Sequence, residues 1–316
     1  MYLTGIADEA GASIDTQIRA TKELNWKYIE ARSVEVPGFE KANIHDIPDK
    51  AFDIAVEKLN QAGISVNCFG STIGNWSKKI EDPIDITLAE VSRAIPRMQR
   101  LGTKFVRVMS YKPRDEDDQL EEERFRRMRE VTKRFLDAGI QPVHENCVNY
   151  GGMGWPFALR LLDNVPGLKW VFDTANPIFN DDRSKPRPWP KQDPWEFYTR
   201  VKPWIEHVHI KDARWNPTKN DADYKYPGEG DGAVRPIIKD LLASGYDGGF
   251  SIEPHLAVVF HDASVTASAE AQYSTYIEYG HRLEKLIKSV QAEIASAQPV
   301  RPNRSGFAGV KLQAPH

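Results

Sequence analysis

Short runs rich in β-branched and aromatic residues alternate with longer stretches of helical period along the chain. The runs YLTGIA (2–7), KYIEAR (27–32), ISVNCFG (64–70), KFVRVMS (104–110), IQPVHEN (140–146), LKWVFDT (168–174), WIEHVHIKD (204–212) and GGFSIEPH (248–255) read as strands. Between and after them, SIDTQIRATKEL (13–24), DKAFDIAVEKLNQAG (49–63), ITLAEVSRAIPRMQRLG (86–102) and EEERFRRMREVTKRFLDAG (121–139) read as helices. So do PFALRLLDNV (156–165), PWEFYTRV (194–201), VRPIIKDLLASG (234–245) and the stretch near 268–294. Ser13 or Asp15 suits an N-cap, and Gly63, Gly102 and Gly139 close their helices, as a left-handed cap favours. Pro96 is expected to kink its helix or shift its start. Strands alternating with helices favour a parallel sheet. Eight of each favour an α/β fold of the (β/α)8 TIM barrel type over an open sheet.

Four strand ends carry the chemistry. Glu145, Asp173, His209 and Glu253 each close an apolar run, at spacings of 28, 36 and 44 residues, about one strand-and-helix unit each. That spacing places three carboxylates and an imidazole at one end of a parallel barrel, where such folds keep their sites. The donor set suits a hard divalent cation, Mn²⁺, Mg²⁺ or Co²⁺, rather than a structural zinc, and does not choose among the three; Mn²⁺ is the expected cofactor. A single carboxylate at a strand end is more often a helix cap; four on successive strands are not so easily explained. Residues 70–83 and 176–194 form long strand-exit loops suited to enclosing a substrate. The barrel is expected to span residues 1–296 as one domain, with 297–316 a flexible tail or an arm packed on a partner.

Composition narrows the partners. With 42 basic and 45 acidic residues the net charge is −3, without the basic excess of a nucleic-acid binder. No run reaches membrane-spanning length and the first residues lack a signal-peptide layout, so a soluble cytoplasmic protein is expected. Two cysteines, Cys68 and Cys147, are too few for a disulfide framework.

The motifs VFDTAN, HVHIKD, PGEGDG, SIEPH and YIEARS together resemble the sugar phosphate isomerase/epimerase superfamily, with its xylose-isomerase-like TIM barrel, over roughly residues 1–290. That superfamily includes tagatose-type epimerases, hydroxypyruvate isomerases, inosose dehydratases and endonuclease-IV-like enzymes. The resemblance puts Glu145, Asp173, His209 and Glu253 in the four metal positions and gives Glu145 and Glu253 the acid/base work. It also implies that Lys211 meets a substrate hydroxyl or carbonyl, with a structural salt bridge the alternative. The sixth-strand motif departs from the Asp-x-x-His often found in relatives: it reads Asp173-Thr-Ala-Asn176, and Asn176 can orient a hydroxyl but cannot shuttle a proton.

Other candidates stay open on residue type alone. His144 is catalytic if the strand has ended before it; strand alternation otherwise turns it behind the barrel, as Glu145 points in. Arg107 binds a polar substrate group or forms a buried ion pair, and Glu30 and Arg32 read as internal pairing ahead of substrate contact. His255 is placed to orient a ligand from behind. Trp76, Trp155, Trp189 and Trp215 fall in exit loops, where aromatics suit a sugar face or an aromatic aglycone; Trp76 is carried as a substrate contact. The small residue Cys147 and the glycines of PGEGDG read as a buried filler and a flexible turn.

The leading expectation is a carbohydrate isomerase or epimerase that acts through a metal-stabilised enediolate on a keto-sugar. The alternative is a metal-dependent lyase that cleaves 3-keto-glycosides by β-elimination, as C-deglycosidase subunits do. An inosose-type dehydratase is close to both. Endonuclease-IV-like repair fits poorly, with only eight histidines and a slightly acidic chain. A small carbohydrate or glycoside is the expected partner, with a homo-oligomer and a small accessory subunit as further partners, and neither nucleic acid nor membrane.

Overall fold

The computed structural model describes residues 1–257 and 267–297. Eight parallel strands form the barrel: β1 (Tyr2–Gly5), β2 (Tyr28–Ala31), β3 (Ser65–Phe69), β4 (Phe105–Val108), β5 (Gln141–Glu145), β6 (Lys169–Asp173), β7 (Ile205–Ile210) and β8 (Gly249–Ile252). Hydrogen bonding follows the order β1-β8-β7-β6-β5-β4-β3-β2, and a parallel bridge from Ile6 to Glu30 joins the two ends. The chain is therefore a (β/α)8 TIM barrel. No described helix is long and apolar enough to cross a membrane.

Helices α1 (Ile14–Glu23), α2 (Asp49–Ala62), α3 (Ile84–Leu101), α4 (Glu121–Asp137), α5 (Trp155–Asn164), α6 (Pro194–Val201), α7 (Val234–Ala243) and α8 (Ala269–Ala297) follow the strands in turn. Ser13 caps α1 by accepting from the Asp15 amide, while Gly63 and Gly102 close α2 and α3 at φ +68° and +66°. Pro96 neither starts nor ends α3; it sits inside an unbroken helix that begins two residues earlier than the pattern predicts. The predicted tail from 298 onward lies outside the described residues.

Period-two alternation sorts the strands into two layers. Cys68, Phe105, Val143 and Val171 pack on one another in their own cluster. Trp170, Phe172 and Val208 join the larger core that unites the helices with the sheet. Residues two positions beyond the first set, Arg107, Glu145 and Asp173, therefore point up the same inner face toward the exit end.

Two short antiparallel hairpins stand above that end. Ser33–Val34 pairs with Ala42–Asn43, and Asp212–Asn216 pairs with Asp221–Lys225. The sequence pattern does not predict either. The strands DARWN and DADYK are mostly polar, and they gain their apolar contact from Ala175 and Ile178 around the helical turn Asn176–Phe179.

Candidate functional site

Glu145, Asp173, His209 and Glu253 sit on four adjacent strands, β5 to β8. Asp173 and His209 are register partners, and the Glu253 amide donates to Ile210 O at 3.0 Å. One donor atom from each of the four lies within 4.8 Å of every other, and all four residues are buried.

Local bonding aims each group. Asn146 spans the ends of β5 and β6: its Nδ2 donates to Asp173 O at 2.9 Å and its Oδ1 accepts from Asp173 N at 2.8 Å. Asp173 Oδ1 accepts the amides of Ala175 and Asn176 at 2.9 and 2.7 Å, so the side chain caps the turn that follows. Its Oδ2 accepts no aligned hydrogen bond, although Lys211 Nζ is 2.9 Å away. His209 Nε2 lies 3.0 Å from Glu30 Oε1, and its Nδ1 lies 3.2 Å from Glu145 Oε1 and 3.9 Å from Glu253 Oε2. Glu145 Oε2 pairs with Arg107 at 3.2 Å. Glu253 Oε1 accepts from Arg32 and Oε2 from Lys211, each at 2.9 Å.

The charge balance favours a cation. Six buried carboxylates (Asp8, Glu9, Glu30, Glu145, Asp173 and Glu253) face three permanent cations, Arg32, Arg107 and Lys211, so carboxylates are in excess in a desolvated space. Burial raises the Asp173 carboxyl; Lys211 opposes the shift, but Glu253 and Glu145 add to it and leave the group at about 6. Burial works against the ionised forms of Glu145 and Glu253 too, yet Arg107 and His209 hold the first below the usual range, and Lys211, His255 and Arg32 hold the second well below it. A divalent cation between Glu145, Asp173, His209 Nδ1 and Glu253 would offset much of the excess and use the unbonded Asp173 oxygen. The residues present fit such an ion, and the oxygen-rich donor set fits a hard one.

Among the other candidates, Lys211 bridges Asp173 and Glu253, so its salt-bridge reading is the arrangement observed. Arg107 is likewise in a buried ion pair, and Asn176 Nδ2 donates to Glu145 Oε1 at 3.4 Å. All three still line a cavity of about 470 Å³ above the quartet, with Arg32, Trp76, Met109, Cys147, Phe179 and His255 among its walls. His255 holds φ +53°, with its Nδ1 2.8 Å from Glu9 Oε1 and its ring edge-on to Tyr224.

His144 is elsewhere. Its ring packs on Trp170 at 4.7 Å behind the barrel, Nε2 lies 2.9 Å from Ser110 Oγ, and it does not line the cavity. The expectation of a catalytic His144 is corrected accordingly: β5 continues through Glu145, so alternation turns its neighbour outward. Of the four loop tryptophans only Trp76 reaches the cavity. Trp155 and Trp189 stack with arginines and Trp215 with Lys191.

Two sets of partners escaped the residue pattern. Glu30 binds both His207 and His209 from the far side of the barrel interior, at 2.8 and 3.0 Å. Asp212 accepts the amides of Gly228, Gly230 and Gly232 at 2.8–3.0 Å, so the PGEGDG segment is a clasp rather than a flexible turn. A Cβ on Gly230 would fall 2.3 Å from Asp212 Oδ1 and 2.6 Å from Ala213 O, which leaves no room for another residue. The clasp fixes the backbone just beyond Lys211.

A family model described as the xylose isomerase-like TIM barrel matches residues 18–278. Solved structures with the same fold include a D-tagatose 3-epimerase-like protein, 16% identical with TM-score 0.67, covering 93% of this chain and 100% of that one. The probable 3-DHS dehydratase involved in petrobactin synthesis in Bacillus anthracis is 15% identical with TM-score 0.65, covering 90% and 99%. A xylose isomerase-like TIM barrel protein from Mycobacterium smegmatis, in complex with magnesium, is 16% identical with TM-score 0.62, covering 91% and 97%. No curated protein matches significantly by sequence.

Proposed function

The chain belongs to the xylose isomerase-like TIM barrel family, and on that premise we propose that it is a divalent-metal-dependent isomerase or epimerase of a keto-sugar. The carrying observation is the pair Glu145 and Glu253. Each has one oxygen gripped by a guanidinium, Arg107 or Arg32, and the other turned to the quartet. They rise from β5 and β8, with two strands between them, so they approach a substrate from different sides.

Glu145, Asp173, His209 and Glu253 would hold the cation, which would supply Lewis-acid stabilisation of charge developing on a carbonyl oxygen. Mn²⁺ is the ion proposed, with Mg²⁺ or Co²⁺ as alternatives; a structural neighbour holds magnesium. Both glutamates are kept ionised, which is the form that accepts a proton from the carbon beside a carbonyl. Arg107 and Arg32 restrain the two carboxylates so that little reorientation is needed when that proton moves. Lys211 and Asn176 offer hydrogen-bond donors to substrate oxygens at the same level. Elimination from a 3-keto-glycoside begins with removal of the same kind of proton, and a dehydratase among the structural neighbours keeps that second outcome in view.

The test is proton exchange. Mn²⁺-loaded protein in D₂O with a panel of ketoses and 3-keto-glycosides, followed by NMR, should place deuterium on the carbon next to the carbonyl. Release of an aglycone with an unsaturated keto-sugar would assign the lyase outcome instead. Glu145→Gln and Glu253→Gln should each abolish exchange without unfolding the protein; full exchange in either variant overturns the proposal.

A further inference from the structure

Lys211 holds the carboxylate oxygens that a cation in the quartet would need. Its Nζ lies 2.9 Å from Asp173 Oδ2 and 2.9 Å from Glu253 Oε2. The other oxygen of each carboxylate is committed elsewhere: Asp173 Oδ1 accepts the Ala175 and Asn176 amides, and Glu253 Oε1 accepts from Arg32. Glu253 Oε2 also faces His209 Nδ1, at 3.9 Å. A divalent ion and an ammonium on the same two oxygens are close like charges in a desolvated space, where their repulsion is weakly screened. The lysine stem is flexible, so the ammonium can turn away. It then needs a buried acceptor, because a charge left unpaired in the interior is costly.

One acceptor is in place. Tyr224 Oη is buried and has no hydrogen-bond partner among the described residues. Such an atom is uncommon in a folded protein and calls for a partner. Tyr224 stands opposite Ala213 in the hairpin of Asp212–Asn216 and Asp221–Lys225. Its ring packs on the cluster of Ala175, Ile178, Ala213 and Ala222 and lies edge-on to His255 at 5.1 Å. Ala175, Ala213 and His255 stand two residues beyond Asp173, Lys211 and Glu253 in turn. The phenol is thus enclosed by the three chain segments that make the ion pairs of Lys211. Burial pushes the Tyr224 phenol up, and Lys211 is the foremost charge acting on it, in the opposite direction. The Asp212 clasp on Gly228, Gly230 and Gly232 anchors the base of the hairpin, so the phenol is held in place.

We propose that Tyr224 is a positioning residue for Lys211: when a divalent cation takes Asp173 Oδ2 and Glu253 Oε2, the ammonium moves to Tyr224 Oη. The metal quartet itself rests on the function proposed above; the change of partner by Lys211 and the part of Tyr224 are the new step. No proton is transferred. An ammonium has three N–H donors, so with one on the phenol oxygen the others stay open to substrate oxygens.

Mn²⁺ calorimetry on the parent, Tyr224→Phe, Lys211→Met and the double variant tests it. Tyr224→Phe removes the acceptor alone. Mn²⁺ affinity should fall about tenfold or more, the scale of a lost hydrogen bond to a charged group. Lys211→Met removes the rival cation, and affinity should rise. In that background Tyr224→Phe should change nothing, since its effect passes through the ammonium. Lys211→Gln, which keeps a polar side chain, takes the place of the methionine variant where circular dichroism shows that one unfolded. An unchanged affinity in Tyr224→Phe, an equal loss in both backgrounds, or weaker Mn²⁺ binding once Lys211 is replaced overturns the proposal. Absence of Mn²⁺ binding by the parent overturns the metal reading itself, whereas Mn²⁺ binding that ignores Tyr224 overturns only this step.

Discussion

His209 turns Nδ1, not Nε2, toward Glu145 and Glu253, because Glu30 holds Nε2 at 3.0 Å on the other side of the ring. Burial works against ionisation of Glu30, but the two histidines it bridges hold its carboxyl well below the usual range. A charged acceptor thus fixes both the tautomer and the tilt of the imidazole. Removal of such a supporting partner costs metal affinity about 10–100-fold in other sites. Glu30→Gln keeps the size of the side chain and removes its charge, so Mn²⁺ affinity measured by calorimetry should fall by that factor with all four ligand residues in place. An unchanged affinity would mean that barrel packing alone orients His209.

Metal binding should be coupled to proton release. Burial lowers the basicity of His209, but Glu30 and Glu145 outweigh it and raise the group well above its ordinary value, so the ring holds a proton that a metal must displace over a wider pH range than an ordinary histidine does. Ligation through Nδ1 displaces that proton. Asp173, at about 6, adds a second proton in more acidic solution. The apparent Mn²⁺ association constant should therefore rise with pH through neutrality, and more steeply below about 6, where Asp173 also takes up a proton. Calorimetry in buffers of different ionisation enthalpy counts the protons directly. A pH-independent constant would show that His209 is not a ligand.

The eight strands and the inward set at their ends were legible because burial imposes a two-residue period on each barrel strand. The same alternation offered the outward reading of His144. Glu30 was legible as an internally paired acid, but its partners were not. Its bonds to His207 and His209 span 177 and 179 residues and depend on closure of the barrel, which no local pattern encodes. Asp212 reads as an ordinary polar residue after Lys211, because its partners are backbone amides that lie 16 to 20 residues on. The hairpin Asp212–Lys225 was hidden for another reason: its polar strands earn their place through contacts with the Asn176–Phe179 turn, not through alternation of their own.

His144 ties stability, rather than catalysis, to pH. Burial pulls its pKa down to about 3, with Glu145 opposing the shift. The unfolded chain has an ordinary histidine near 6.5. Below that value the unfolded state takes up a proton that the folded state refuses, so stability falls as pH drops from about 6.5 toward 3. Between pH 6 and 5 this one group should cost about 1 kcal/mol. His144→Phe keeps a ring against Trp170, and Ser110 Oγ retains Asn149 Oδ1 and the Gly151 amide as partners. Urea unfolding at the two pH values should therefore show a loss smaller by about that amount in the variant. Its turnover at pH 7 should match the parent, since the ring lies behind the barrel wall. A folded His144→Phe protein without activity would return this residue to the catalytic set.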